Sequence, residues 1–135
     1  RLANVIHGDP VFSNVLLSGD NSIHLLDMRG EIGETLTLQG DMLYDLSKVY
    51  QSLLGYDFIL LGKVMHERDA ELLEELRDAF SKHVAEHYPS VAMSDVVRIA
   101  AQHYFGIVPL HNNSVHQRAY LETCSALLAS LPSTY

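Results

Sequence analysis

The run His7-Gly8-Asp9-Pro10-Val11-Phe12-Ser13-Asn14 packs a glycine, a proline and several short polar side chains together and reads as a tight polar loop. Val15-Leu16-Leu17 follows as a short apolar strand. Ser18-Gly19-Asp20-Asn21-Ser22 has the chemistry of a reversing turn, and Ile23-His24-Leu25-Leu26 returns as a second apolar strand ending in Asp27. Such a hairpin brings Asp9, Asn14 and Asp27 to one end. Two carboxylates and a neutral amide oxygen form a hard-oxygen set suited to Mg²⁺, which takes few protein ligands and fills its shell with water and phosphate oxygens. At the end of an apolar strand Asp27 is expected to be buried, and a buried carboxylate is costly unless it is paired or metal-bound.

The remaining features set bounds. The chain has 135 residues, the size of one domain, and 47% of them are hydrophobic, enough for an ordinary core. A net charge of −8 with nine scattered basic residues argues against a nucleic-acid partner. No apolar run approaches the roughly 20 residues that span a bilayer, so no membrane partner is expected. The single cysteine, Cys124, excludes an internal disulfide, lies in an apolar helical pattern, and is compatible with a cytoplasmic setting.

Downstream the pattern becomes helical. Val5 and Ile6 form the buried end of the leading segment. Thr35 to Leu38 is at most a short extended piece. Asp41 caps a helix whose apolar positions are Leu43, Leu46, Val49, Tyr50, Leu53 and Leu54, and Gly55 stops it. Phe58 to Met65 reads as a small hairpin or irregular strand. Residues 67 to 88 form a helix with Ala70, Leu73, Leu76, Phe80 and Val84 on its buried stripe, ended by Pro89. Ser94 caps a helix beginning at Asp95, and Asn113 or Ser114 opens a last helix reaching about Leu131. The fold class is therefore mainly α with a small β-hairpin.

The spacing from Asp9 to Asn14 matches the protein-kinase catalytic loop, in which Asp is followed by Asn five positions on. With His7-Gly8 before it and Asp27 after it, the block resembles the aminoglycoside phosphotransferase and choline kinase group of the protein-kinase-like superfamily. Leu26-Asp27-Met28-Arg29-Gly30 departs from the commoner Asp-Phe-Gly. It is similar to the Asp-x-Arg-Gly version in phosphotransferases of bacterial surface-polysaccharide and capsule gene sets. Leu43 to Lys48, Gly55 to Ile59 and Val108 to His111 fit that subgroup too, so the likeness runs from about residue 5 to about residue 130.

The resemblance implies the C-terminal lobe of a kinase-like fold spanning residues 1–135, with the N-terminal nucleotide-binding lobe absent from this chain. It implies ATP-dependent transfer of the γ-phosphoryl group to the hydroxyl of a sugar, amino alcohol or polysaccharide precursor. Asp9 would be the base, Asn14 and Asp27 the ligands of Mg²⁺ and hence of the nucleotide. Asp45 would accept backbone amides of the loop. His7 is a structural histidine whose ring bonds backbone carbonyls. Arg29 either contacts a phosphate or acidic substrate, or pairs with Glu31 or Glu34. Taken singly, Asp9 could cap the turn before Pro10 and Asn14 could open an Asx turn. The isolated chain is expected to be a weak kinase, and to self-associate as a homodimer through apolar surface near the hairpin. Two other functions fit the residues: a metal-dependent phosphohydrolase using His7, Asp9 and Asp27, and a non-catalytic kinase-like binding domain.

Overall fold

The computed structural model describes residues 1–132 and is mainly helical, with three small antiparallel strand pairs. Strand β1 (Leu2–Ala3) pairs with β6 (Gly40–Asp41), Leu2 opposite Asp41. Strands β2 (Val15–Leu17) and β3 (Ile23–Leu25) form the hairpin, with Leu16 opposite His24. Strands β4 (Glu31–Ile32) and β5 (Thr35–Leu36) form a second, shorter hairpin. Among the described residues five α-helices follow: α1 (Met42–Leu53), α2 (Tyr56–Leu60), α3 (Glu67–His87), α4 (Met93–Ile107) and α5 (Ser114–Ser130). Among the described residues no helix is long and apolar enough to cross a membrane.

The helix ends follow local chemistry. The Asp41 carboxylate accepts from the Leu43 amide at 3.0 Å and starts α1. Gly55, at φ +91°, takes the left-handed conformation that closes α1 and turns the chain into α2. Asn113 accepts from the amides of Val115 and His116 and starts α5. The core has two parts, both built on α4. One gathers Val11, Tyr56, Ala100, Tyr104, Tyr120, Cys124 and Leu127; the other holds Leu43, Val84, Val91 and Val96. Tyr104 and Tyr120 are fully buried, their ring centroids 6.1 Å apart.

Several sequence expectations are corrected. Phe58 to Met65 is not a strand pair. Its first residues belong to α2, because Gly55 resets the chain direction and Tyr56, Ile59 and Leu60 then pack into the α4–α5 core at helical spacing. Ser94 is not a cap: α4 starts at Met93 after Ala92, and the Asp95 amide bonds the Ala92 carbonyl. The α3 stripe is narrower than the apolar pattern, since Ala70 and Leu76 face solvent while Leu73 and Val84 are buried. Val5 is exposed and only Ile6 is buried, against Gly40 of β6, where an added Cβ would press on the Ile6 side chain. The β2–β3 ribbon presents Leu16, Leu17, Ile23 and Leu25 to solvent.

Candidate functional site

A loop as tight as residues 7 to 14 cannot satisfy its own backbone amides, and buried amides must find acceptors. Here the acceptors come mostly from helical side chains. Asp45 on α1 takes the His7 amide at 2.6 Å on one carboxylate oxygen and the Gly8 amide at 2.8 Å on the other. Ser52, at the end of α1, takes Phe12 through its hydroxyl at 2.9 Å, and Asp57 on α2 takes Ser13 at 2.8 Å. The Asp9 amide donates to Nδ1 of the buried His7 ring at 3.2 Å. This corrects one detail of the sequence reading: the ring holds the loop by accepting an amide, not by bonding carbonyls. The remaining corner is Gly8, whose φ of +87° is costly for any other residue.

The hairpin is fastened to this loop at two points. The Leu26 amide donates to the Asn14 carbonyl at 2.8 Å, and the Arg29 amide to the His7 carbonyl at 3.0 Å. Asp27 lies between these ties and adopts φ +58°. It is exposed, which corrects the expectation of a buried carboxylate: a two-stranded ribbon leaves its terminus open to water. Asp27 makes no hydrogen bond or ion pair among the described residues. The Asn14 side-chain NH₂ donates to the Asp9 carbonyl at 2.9 Å and to its carboxylate at 3.3 Å. Asp9 and Asp27 line one cavity of about 350 Å³ with Gly8, Met28, Arg29, Tyr44 and Lys48.

His7, Asp9 and Asp27 do not assemble as a three-ligand metal site. No cluster of three or more His, Cys, Asp or Glu that could hold an ion occurs among the described residues, and His7 Nδ1 is already engaged by an amide. Arg29 pairs with neither Glu31 nor Glu34; its guanidinium lies 4.8 Å from the centroid of the Tyr44 ring.

Sequence reading missed Lys48, Ser52 and His103. The Lys48 ammonium stands 3.0 Å from an Asp9 carboxylate oxygen, and its side chain is 12% exposed. A signal for it existed: Asp45, Lys48 and Ser52 are spaced three and four apart along one face of α1. His103 of α4 had no such signal, because its partner is 56 positions away. The Ser47 hydroxyl donates to the Tyr44 carbonyl at 2.8 Å, so it accepts from Nε2–H of His103, also at 2.8 Å.

Burial, with the Lys48 charge adding to it, pushes His103 down from 6.5 to about 4. Folding therefore favours the neutral ring. Above about pH 6.5 its contribution to stability is complete; as pH falls from there through about 4, the unfolded chain binds a proton that the folded chain refuses. The full effect is roughly 3 kcal/mol. Denaturant melts at neutral pH and near pH 4 should show that loss, and His103→Gln should reduce it. An identical acid response in the variant would remove His103 as its source.

Comparison with family models, with curated proteins and with solved structures returned no match.

Proposed function

We propose that this chain is the catalytic-loop lobe of a kinase-like phosphotransferase that moves the γ-phosphoryl group of ATP to a hydroxyl of a small molecule. The observation that carries the reading is the joining of loop and hairpin. Asp9 and Asn14, spaced as in a kinase catalytic loop, are hydrogen-bonded to each other, the residues flanking Asp27 are tied to the same loop, and Asp45 holds the amides at its start.

In this reading the Asp9 carboxylate accepts the proton of the attacking hydroxyl. Asn14 fixes Asp9 through its NH₂, which leaves its side-chain oxygen for a cation. Asp27 supplies the second oxygen donor, and its exposure without a protein partner fits that task. Mg²⁺ held there would neutralise charge on the nucleotide phosphates. Positioning and charge neutralisation supply most of the rate in such transfers, so the rigid hold on the loop is the main contribution of the fold.

The test is to incubate the protein with ATP, Mg²⁺ and a panel of sugars and amino alcohols, and to identify products by phosphorus NMR. The expected products are ADP and a phosphorylated acceptor. Release of inorganic phosphate from phosphate esters without ATP would support the hydrolase instead. Asp27→Ala should abolish the Mg²⁺ dependence of nucleotide binding in calorimetry; a variant that responds to Mg²⁺ like the parent would reject the ligand assignment.

A further inference from the structure

Two cations meet at one ring beside the candidate base. The Arg29 guanidinium lies 4.8 Å and the Lys48 ammonium 6.0 Å from the centroid of Tyr44, and both residues line the cavity of Asp9 and Asp27. In a chain with nine basic residues and a net charge of −8, this pairing is not the general character of the surface.

The two are held differently. Lys48 is committed to Asp9 at 3.0 Å. Arg29 has no carboxylate partner among the described residues. It is nevertheless kept in place. Its amide is tied to His7, its guanidinium rests on Tyr44, and its side chain occupies room that Gly8 leaves open. A Cβ on Gly8 would stand 2.7 Å from Arg29 Cβ and 3.1 Å from its Nε. A guanidinium offers five donors in a planar fork that matches carboxylate and phosphate oxygens.

Tyr44 and Lys48 also line a second, larger cavity of about 630 Å³ between α1 and α4, with Ile99, Gln102, His103 and Phe105 among its walls. No Asp or Glu lines it, and Asn14 lines neither cavity. The two cavities share Tyr44 and Lys48, and beyond them the second adds amide, imidazole and apolar groups but no carboxylate.

We propose that Arg29 and Lys48 form an oxyanion subsite for the acceptor, a hydroxyl compound that itself bears a phosphate or carboxylate and is not a polycation. The word acceptor rests on the phosphotransferase reading; the anion subsite does not.

The experiment is a nitrogen–proton NMR titration of the 135-residue chain at low salt with glucose 1-phosphate, with glucose and with neomycin as a polycation. Glucose 1-phosphate should shift the amides of Gly8, Arg29 and Lys48, and glucose should bind at least about tenfold more weakly. Arg29→Gln should weaken the sugar phosphate by about tenfold or more, with Arg29→Lys in between. Asp9→Asn should tighten it, because the substitution removes a negative charge and releases Lys48. That result would hold even if Asp9 were no base, so failure of the subsite and failure of the base assignment are separable. Equal binding of sugar and sugar phosphate, indifference to Arg29→Gln, or preference for neomycin at these amides would overturn the proposal. So would MgADP binding that Arg29→Gln weakens while glucose 1-phosphate leaves the amides unmoved, since the cations would then serve the nucleotide.

Discussion

Asp9→Asn is expected to lower turnover of the active protein by at least about 10²-fold, and by up to about 10⁴-fold, the span of general-base catalysis. In free energy the lower figure is about 2.7 kcal/mol of lost transition-state stabilisation. The substitution keeps the size of the side chain and leaves the backbone carbonyl that Asn14 bonds untouched. What it removes is a carboxylate able to take a proton, along with the partner of Lys48. The loss should therefore fall on kcat without a rise in KM, and equal losses in kcat and kcat/KM would mark an interaction made only in the transition state. Steady-state kinetics decide the matter: turnover within about threefold of the parent would be too small a loss for a general base and would take Asp9 out of that role.

Asp45→Ala should act on the loop without touching the chemistry. Two amides, those of His7 and Gly8, lose a charged acceptor at 2.6 and 2.8 Å. A part-buried donor left without a partner costs about 1–3 kcal/mol, so the pair costs roughly 2–6 kcal/mol. Domains of this size are stable by only about 5–15 kcal/mol. The expected result is a large rise in amide exchange across residues 7 to 14, with a smaller drop in global stability. Asp45→Asn, which keeps one acceptor oxygen, should fall between. Exchange in the loop equal to that of the parent would mean that Ser52, Asp57 and His7 suffice to hold it.

The helices were legible where a single residue decides an end. Asp41, Gly55, Pro89 and Asn113 each act through their own backbone or side chain, and α1, α3 and α5 start or stop beside them. The sequence misled where a decision belongs to packing. Phe58 to Leu61 is apolar in any conformation, and only the α4–α5 core selects the helix. Ser94 has the right chemistry for a cap, but Val91 and Val96 are buried together and draw the start of α4 earlier. The hairpin was readable because its turn is local, whereas its exposure was not, because that depends on what lies over it. In the site, Asp9, Asn14, Asp27 and Asp45 were visible from spacing and resemblance. The α1 spacing pointed to Lys48, but its pairing with Asp9, like that of His103 with Ser47, is a contact between elements distant in sequence.

The two halves of the site differ in stiffness. Four amides of the loop are clamped by side chains of α1 and α2, which are themselves built into the core. The position of Asp9 is thus inherited from the helices, and displacing it means breaking several contacts at once. Asp27 rides on a solvated ribbon tied to the loop by two backbone bonds. Few buried contacts and exposed hydrogen bonds place such a segment at the easily opened end of the range. The separation between Asp9 and Asp27 is accordingly the soft coordinate of the site. A contact made on the exposed ribbon, remote from Asp9, would therefore change the distance from Asp9 to Asp27 without moving Asp9.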